Sequence, residues 1–200
     1  EKYGLTLIED AAQSFGASYH GKQACSFGRI AITSFFPAKP LGCYGDGGAV
    51  FTDDGELDKL FRSLCVHGKG PGGKYDNIRV GINSRLDNLQ AAILLPKLKA
   101  LGDYELDRRQ AVAGRYTAAF AGKFVTPFVA GGCISAWAQY ALLAEDSIQR
   151  DKMIAHLTEK GIPNMIYYPK PQHALPVFQN EPRYGEEFRN ANDYCARTFS

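Results

Sequence analysis

The sequence has no long apolar run and no pattern of paired cysteines. Its apolar stretches all fall short of the roughly 20 consecutive residues that a membrane-spanning helix needs, so no membrane partner is expected. Its five cysteines are odd in number and include no Cys-x-x-Cys pair, which argues against a disulfide framework. Free thiols are typical of a reducing compartment, and a cytoplasmic location is the resulting expectation.

The sequence also lacks an excess of charge, internal repeats and low-complexity segments. Its formal net charge is +2 and its basic residues are scattered, so no nucleic-acid partner is expected. His20, His67 and His156 show no metal-ligand spacing with the cysteines, and no metal site is predicted. A content of 45% apolar and 22% charged residues is typical of a globular protein.

What the sequence does contain is a lysine between a strand-like run and a glycine-rich turn. The largely apolar run from Arg29 to Phe36 indicates a strand, Lys39 follows it, and residues 42–48 are rich in glycine. These glycines are expected to take positive φ angles and to let the backbone approach a ligand. A lysine amine is a nucleophile only when deprotonated, which desolvation or nearby positive charge favours. This segment alone leaves Lys39 open to two roles, a Schiff-base lysine and a solvated loop residue.

A second segment adds an acid and a hydroxyl at strand ends. The apolar stretch from Leu5 to Ile8 indicates a strand leading to Asp10, and Ser34 closes the next one. Ligands of open α/β sheets bind beyond the carboxyl ends of the strands. An acid there can pair with a pyridinium nitrogen, a hydroxyl can bind phosphate and a lysine can form an imine, as pyridoxal phosphate chemistry requires. Asp10 could instead be a helix N-cap, with Gln13 completing a capping box.

Five segments together carry a family resemblance. They are residues 9–13 (Glu-Asp-Ala-Ala-Gln), 34–39 (Ser-Phe-Phe-Pro-Ala-Lys), 45–49 (Gly-Asp-Gly-Gly-Ala), 81–92 (Gly-Ile-Asn-Ser-Arg-Leu-Asp-Asn-Leu-Gln-Ala-Ala) and 161–173, which begins Gly-Ile-Pro-Asn-Met-Ile-Tyr-Tyr-Pro. In this order they resemble the DegT/StrS-type aminotransferases, pyridoxal phosphate enzymes that aminate nucleotide-linked keto sugars. The resemblance implies an α/β protein of fold type I, with an incomplete three-layer α/β/α large domain and a small C-terminal α/β domain.

The resemblance implies a cofactor role for several matching residues. Lys39 would bind pyridoxal 5'-phosphate covalently and move protons on the substrate carbon. Asp10 would pair with the pyridine nitrogen, Gln13 would lie against the ring or its hydroxyl, and Ser34 would bind the phosphate. Asn83 would reach the phosphate of the neighbouring subunit's cofactor, which implies a homodimer with shared active sites.

Substrate contacts are implied for Arg85, Tyr167 and Tyr168, and His173 is a further candidate. The planar fork of an arginine suits a carboxylate or a pyrophosphate, because it donates two parallel hydrogen bonds. Other roles stay open from the residues themselves. Arg85 could be a solvated surface charge, the two tyrosines could be core aromatics with satisfied hydroxyls, and His173 could be a packed histidine between prolines.

The activity implied by the resemblance is transamination. Glutamate would donate its nitrogen through the cofactor, and a nucleotide-linked keto sugar would accept it. The form of the lysine segment is similar to that of enzymes acting at the 3-position of UDP-linked sugars for surface polysaccharides. Two alternatives stay open. One is a sugar dehydratase on the same fold, although a histidine replaces the lysine in those members. The other is a non-catalytic or regulatory paralogue that binds the cofactor or a sugar nucleotide.

The predicted organisation has three regions. Residues 1–85 would be the C-terminal portion of the large cofactor-binding domain, 86–122 connecting helices, and 123–200 an incomplete small domain. Strands are predicted at Leu5–Ile8, Ile30–Phe36, Ala49–Thr52, Ala136–Leu143 and Asn164–Tyr168, and helices at Glu56–Cys65, Leu86–Leu101, Asp103–Phe120 and Ser147–Lys160. Pro96 is expected to kink the second helix or to end one of its turns, and Asn83 or Asp87 could cap that helix.

Both ends of the chain are expected to be cuts in a longer protein. The sequence opens with Glu1 rather than an initiator methionine, and strand-like sequence begins within a few residues. Members of the resembled family are longer, and their N-terminal part supplies a phosphate-binding turn and an aromatic that stacks on the cofactor. We therefore expect the chain to be part of an enzyme rather than a self-sufficient catalyst.

Overall fold

A computed structural model describes residues 2–178, 180 and 188–200, and the chain forms two compact units. The first unit consists of Glu1–Gln110 and Val129–Ala138, and the second of Ala111–Phe128 and Gln139–Ser200. Within the described ranges, no helix has both the length and the apolar character needed to cross a membrane.

The secondary structure combines short strands with longer helices. The strands are β1 (Ile8–Asp10), β2 (Ser18–Tyr19), β3 (Lys22–Gln23), β4 (Ile30–Ser34), β5 (Gly48–Phe51), β6 (Cys133–Ile134), β7 (Leu142–Leu143) and β8 (Thr198–Phe199). The helices are α1 (Gly55–Leu64), α2 (Asn88–Ala100), α3 (Leu106–Phe120), α4 (Ser147–Glu159) and α5 (Arg189–Arg197). A π-helical segment, Leu101–Glu105, joins α2 to α3, and 3-10 turns lie at Gln172–Ala174 and Pro176–Phe178.

The main sheet of the first unit has the strand order β1-β4-β5. β1 runs parallel to β4 with Asp10 opposite Ile32, and β5 returns antiparallel with Gly48 opposite Ser34. Parallel strands end at the same edge of a sheet, so Asp10 and Ser34 both lie at this edge. The expected placement of the acid and the hydroxyl at neighbouring strand ends is confirmed.

The two faces of this sheet differ in burial. On one face, Ala31 and Thr33 of β4 are buried. On the other face, Ile32 and its cross-strand partner Val50 are 39% and 48% exposed. The alternation follows from the two-residue period of a strand, which turns successive side chains to opposite faces.

A hydrophobic cluster packs the residues after β4 against α2. Its buried members are Phe35, Leu41, Cys43, Leu94 and Leu101. Complete burial of a leucine or phenylalanine side chain contributes about 1.5–3 kcal/mol to stability. The cluster therefore fixes the chain between β4 and β5 onto the helix that follows.

Among the predicted elements, four differ most from the structure. The predicted strand Leu5–Ile8 shares only Ile8 with β1. α2 continues past Pro96 to Ala100, so the predicted end of a helical turn at the proline is wrong, and the irregular segment lies downstream. Of the predicted strand at 136–143, only β7 is a strand. No strand is assigned at 164–168, where Met165 instead exchanges two backbone hydrogen bonds of 2.8 Å with Ser200. This partner lies far along the chain, beyond the reach of local periodicity.

The first helix begins at a carboxylate that also forms an ion pair. Asp54 is the N-cap of α1, and its Oδ1 accepts hydrogen bonds from Glu56 N–H at 2.9 Å and Leu57 N–H at 3.2 Å. Its Oδ2 lies 2.7 Å from Nη2 of Arg29. The hydrogen bond from Arg29, followed by those from the two backbone amides, lowers the pKa of Asp54.

We predict that the stabilising effect of Asp54 depends on pH. A carboxylate whose pKa is lower in the folded state stabilises the fold above its unfolded pKa of about 3.9, and this effect is lost as the pH falls through the folded value. Asn at this position still caps a helix but carries no charge. Urea unfolding should therefore show Asp54→Asn less stable than wild type at pH 7, with the gap narrowing below pH about 4. Asp53→Asn is the control, and an Asp54→Asn gap independent of pH would contradict the assignment.

Candidate active site

Asp10 is the last residue of β1, and the residue after it is held by β4. The Ala11 N–H donates a hydrogen bond of 2.8 Å to Ile32 O. The Asp10 carboxylate is exposed, and its Oδ1 accepts a hydrogen bond of 3.0 Å from Ala12 N–H. Residues 12–16 form turns and no helix, so the alternative of Asp10 as a helix N-cap is wrong. The carboxylate is thus presented to solvent at the sheet edge by a local turn, and Gln13 is exposed beside it.

Ser34 ends β4 at the same edge. Its side chain is half-buried, and its Oγ accepts a hydrogen bond of 3.2 Å from Phe36 N–H. A hydroxyl and a backbone amide therefore lie together beyond the strand end. Such groups are typical donors to phosphate oxygens.

Lys39 lies in the connection from β4 to β5, residues 35–47, which we call the lysine loop. Because β5 is antiparallel to β4, the loop leaves and re-enters the sheet at the edge that carries Asp10 and Ser34. The Lys39 N–H donates a hydrogen bond of 2.9 Å to Phe36 O, which closes a turn. Lys39 is half-buried, and the four residues after it are buried.

The glycines of the lysine loop and of β5 allow the chain to pack closely against itself. A Cβ added to Gly42 would lie 2.5 Å from Pro37 O, and one added to Gly48 would lie 2.8 Å from Thr33 O. Neither position leaves room for a side chain. The prediction of positive φ angles is wrong, because none of the four glycines has one: Gly42, Gly45, Gly47 and Gly48.

Asn83 and Arg85 lie next to each other and share a cleft with Asp46 and Gly47 at the end of the lysine loop. Nε and Nη2 of Arg85 donate hydrogen bonds of 3.1 and 2.8 Å to Asn83 Oδ1. Both side chains are exposed and line an open cleft of about 1170 Å³ on the Ile32 face of the sheet. Among the described residues that line this cleft, Asp10, Gln13, Ser34 and Lys39 do not occur.

Of the two residues that could cap α2, one does so and the other lies outside the helix. Asp87 is the N-cap of α2, and its Oδ1 accepts a hydrogen bond of 2.7 Å from Leu89 N–H. Asn83 lies outside the helix and forms an isolated antiparallel bridge with Val66. The capping role is confirmed for Asp87 and wrong for Asn83.

A thiol in the same cleft, that of Cys25, lies beside a carboxylate. Burial, followed by the charge of Glu9, raises the pKa of Cys25. The Glu9 carboxylate accepts hydrogen bonds from Cys25 N–H at 2.7 Å and Phe27 N–H at 3.0 Å, so its charge stays beside the thiol. Because only a thiolate is strongly nucleophilic, this environment gives no support to cysteine catalysis.

The remaining candidates lie in the second unit. Tyr167 and Tyr168 are 40% and 61% exposed, and their ring centroids lie 5.8 Å apart in an edge-to-face arrangement. The alternative that they are core aromatics is therefore wrong. His173 is half-buried and stacks on Phe188 with ring centroids 4.4 Å apart.

Three polar side chains that were not predicted as site residues contact the lysine loop. Gln90, Lys97 and Arg109 each form a hydrogen bond with a backbone atom of residues 40–44. Gln90 carries the only available signal, because it lies within the 81–92 segment of the family resemblance. The backbone partners of the other two cannot be recognised from residue types.

The family is decided by comparison with known proteins. The DegT/DnrJ/EryC1/StrS aminotransferase family matches residues 1–200. The chain belongs to this family. The resemblance drawn from the sequence motifs is thereby confirmed, and so is the fold type I class.

Individual relatives of the DegT/DnrJ/EryC1/StrS chain agree. It is 48% identical over 181 residues to the UDP-2-acetamido-2-deoxy-3-oxo-D-glucuronate aminotransferase of Pseudomonas aeruginosa, covering 90% of this chain and 49% of the relative. It is 44% identical over 182 residues to the pleiotropic regulatory protein of Geobacillus stearothermophilus, covering 89% and 47%. The crystal structure of a DegT DnrJ EryC1 StrS aminotransferase from Brucella abortus superposes with a TM-score of 0.92 at 45% identity, covering 100% and 52%. The chain spans about half the length of the curated relatives it matches.

We predict that Gly42→Ala destabilises the first unit. The added methyl group would lie within 2.7 Å of the carbonyl oxygens of Phe36 and Pro37, at a buried position next to the hydrophobic cluster. Overpacking of this kind costs about 1–3 kcal/mol in the free energy of unfolding, which urea titration measures. Gly102→Ala is the control, because its Cβ would meet open space and helix propensity should then stabilise by up to about 1 kcal/mol. Equal effects of the two substitutions would contradict the close contact.

Proposed function

We propose that the whole protein is a pyridoxal phosphate-dependent aminotransferase that moves an amino group from an amino acid, glutamate, to a nucleotide-linked keto sugar. One observation carries the proposal. Asp10 and Ser34 end adjacent parallel strands, and the loop that bears Lys39 leaves the sheet at the same edge. Acid, hydroxyl and amine thus lie on neighbouring connections of one small sheet.

The residues at this edge fit the chemical groups of pyridoxal phosphate. The exposed Asp10 carboxylate suits the protonated pyridine nitrogen, and the Ser34 hydroxyl suits a phosphate oxygen. Lys39 would attach the cofactor, and Gln13 would lie against its ring. When bound, the cofactor carries the amino group and withdraws electrons from the reacting carbon.

The chain's own residues would then control charge and protons. Asp10, as an anion, would keep the pyridine nitrogen protonated. The Nζ of Lys39, once released by the amino donor, would hold and return a proton at the substrate carbon as a positioned general base. The half-buried position of Lys39 supports this role, because bulk water then competes less for the proton.

A second copy of the chain would complete each site. Asn83 and Arg85 line a cleft whose lining includes neither Lys39 nor the acid and hydroxyl at the strand ends, which supports a role in the neighbouring subunit's site rather than their own. Just before them, Ile78, Val80 and Ile82 are 54%, 93% and 65% exposed. An exposed apolar segment of this kind is typical of a protein interface. We infer a homodimer in which Asn83 reaches the partner's cofactor phosphate and Arg85 contacts the substrate.

The substrate class rests on chemistry and on the named relative. The Pseudomonas aeruginosa relative acts on a UDP-linked 3-oxo sugar acid, and this supports a UDP-linked 3-keto sugar as the amino acceptor. The exposed Tyr167 and Tyr168 and the half-buried His173 are the further substrate residues that we propose in the second unit. The free thiols of all five cysteines support a cytoplasmic site of action, in a route to surface polysaccharide.

A regulatory protein is the second candidate function. Its support is the pleiotropic regulatory protein of Geobacillus stearothermophilus, with 44% identity. Such a protein would bind the cofactor or a sugar nucleotide without moving an amino group from glutamate. The two functions therefore differ in turnover, and only the aminotransferase requires the cofactor.

We predict that Lys39→Ala abolishes the visible absorption band that the whole protein forms with pyridoxal phosphate. The band requires the covalent bond to the lysine amine, whereas Lys22→Ala should keep it because Lys22 lies on the exposed strand β3. Amination of a UDP-linked 3-keto sugar by glutamate should be lost in parallel with the band. A wild-type protein without the band would refute the cofactor assignment. A band without amino transfer would favour the regulatory candidate.

We predict that two inactive variants complement each other across the dimer. In a mixture of Lys39→Ala and Asn83→Ala, each mixed dimer has one site with both residues intact. Random redistribution of subunits then restores about one quarter of wild-type activity. Lys39→Ala mixed with Asp10→Ala is the control, because both residues serve the same subunit's site and no recovery should occur. No recovery in the first mixture, or recovery in the control, would exclude this sharing.

A further inference from the structure

The lysine loop is attached to the following helices at alternate residues. Near the end of the loop, Tyr44 N–H donates a hydrogen bond of 2.8 Å to Oε1 of Gln90 on α2. Two turns further along α2, the Lys97 ammonium donates to Gly42 O and lies 5.3 Å from the centroid of the Tyr44 ring. Two successive even-numbered residues of the loop are thus held through their backbone atoms.

The third attachment is immediately next to the proposed cofactor lysine. Nη2 of Arg109 donates a hydrogen bond of 3.1 Å to Pro40 O, the carbonyl of the residue after Lys39. Nη1 of the same guanidinium donates to Ala136 O at 3.3 Å, and Nη2 also lies 3.3 Å from Oε2 of Glu105. The Arg109 side chain is only 28% exposed. Because its guanidinium group has partners on several sides, it is held in one orientation.

The intervening odd-numbered residues are held by burial. Leu41 is 3% exposed and Cys43 is fully buried. Both belong to the hydrophobic cluster with two leucines from α2 and the π-helical segment, Leu94 and Leu101. Residues 40–44 therefore alternate between backbone atoms bonded to polar side chains and side chains buried in the cluster. Such a segment has little freedom to move without losing several contacts at once.

The π-helical segment between α2 and α3 explains how these two consecutive helices supply all three attachments. An α-helix repeats about every 3.6 residues, which places Gln90 and Lys97 on one face and turns Arg109 about a third of a turn away. The segment at 101–105 winds more residues into each turn, as the hydrogen bond from Leu106 N–H to Leu101 O shows. Each residue of this segment therefore turns the chain by a smaller angle, which offsets part of that third of a turn. Arg109 thus lies closer to the face that carries Gln90 and Lys97, towards the loop.

We propose that Gln90, Lys97 and Arg109 are positioning residues that fix the direction of Lys39 without touching the reacting atoms. The inference rests on the proposed function of Lys39. Its physical basis is that a displacement of about 1 Å at a reacting group can reduce the rate by about a hundredfold. The three side chains form a supporting layer behind the residue that performs the chemistry.

The first test measures the loop in the whole protein without cofactor, by amide hydrogen exchange. Lys97→Ala should speed exchange across residues 39–44 by about five- to tenfold, the effect of one lost hydrogen bond. Exchange in β4 and β5 should stay unchanged. Lys99→Ala is the matched control, because it removes the same charge from the same helical turn, where Lys99 pairs with Asp103.

A second pair of variants covers the possibility that Lys97→Ala does not fold. Gln90→Met removes the acceptor for Tyr44 N–H, whereas Gln90→Glu keeps an oxygen at that position. Exchange at Tyr44 should rise about five- to tenfold in Gln90→Met and stay near wild type in Gln90→Glu. Rescue by the conservative variant separates loss of the attachment from general destabilisation.

The second readout follows the visible band after pyridoxal phosphate is added. Lys97→Ala and Gln90→Met should form the band about tenfold more slowly than wild type, and kcat should fall more than KM changes. Lys99→Ala and Gln90→Glu should match wild type. If the wild type forms the band but the loop variants match their controls in both exchange and band formation, the positioning role is overturned. If the wild type forms no band, the proposed function fails and the positioning role fails with it, even if exchange reveals the attachments.

Discussion

The pairing of β4 with two neighbours of opposite direction is the constraint on which the candidate site depends. The parallel partner β1 brings Asp10 to the edge where β4 ends at Ser34. The antiparallel partner β5 forces the connection between them to begin and finish at that same edge. Lys39 therefore lies in a loop that leaves and re-enters the sheet at the edge of the acid and the hydroxyl. The backbone hydrogen bonds of a three-stranded sheet thus bring residues that are distant along the chain to one edge.

The loop that results would be loose if it were held only at its ends. Leu41 and Cys43 enter the hydrophobic cluster, and backbone atoms of the residues before, between and after them bond to polar side chains of the helices. Gly42 makes this packing possible, since its missing side chain lets the loop lie against the carbonyl of Pro37. The glycines are therefore needed for close packing of the loop and not for positive φ angles. The contacts that restrict the motion of the loop are therefore the same ones that hold Lys39 in position.

Local signals predicted the helices better than the strands. α4 begins at the predicted Ser147 and α1 begins one residue before the predicted start, and Asp54 and Asp146 cap these helices with their own side chains. A capping residue lies within three positions of the amides that it satisfies, so it can be recognised in the sequence. The strand predicted at 164–168 is wrong because a strand needs a partner, and Met165 meets Ser200 in an isolated pair of hydrogen bonds. Pro96 did not end α2, since the packing of Leu94 and Leu101 on either side outweighs one missing hydrogen bond.

The sequence by itself determined the family, the candidate lysine and the acid and hydroxyl at strand ends, because these depend on residue type and order. Tertiary structure alone decided that Asn83 and Arg85 line a cleft apart from Lys39. It alone also decided that Gln90, Lys97 and Arg109 hold the lysine loop. The physical reason is that these three side chains bind main-chain amide and carbonyl groups, which are present at nearly every residue. Only the folded chain selects which of those groups come within hydrogen-bond distance.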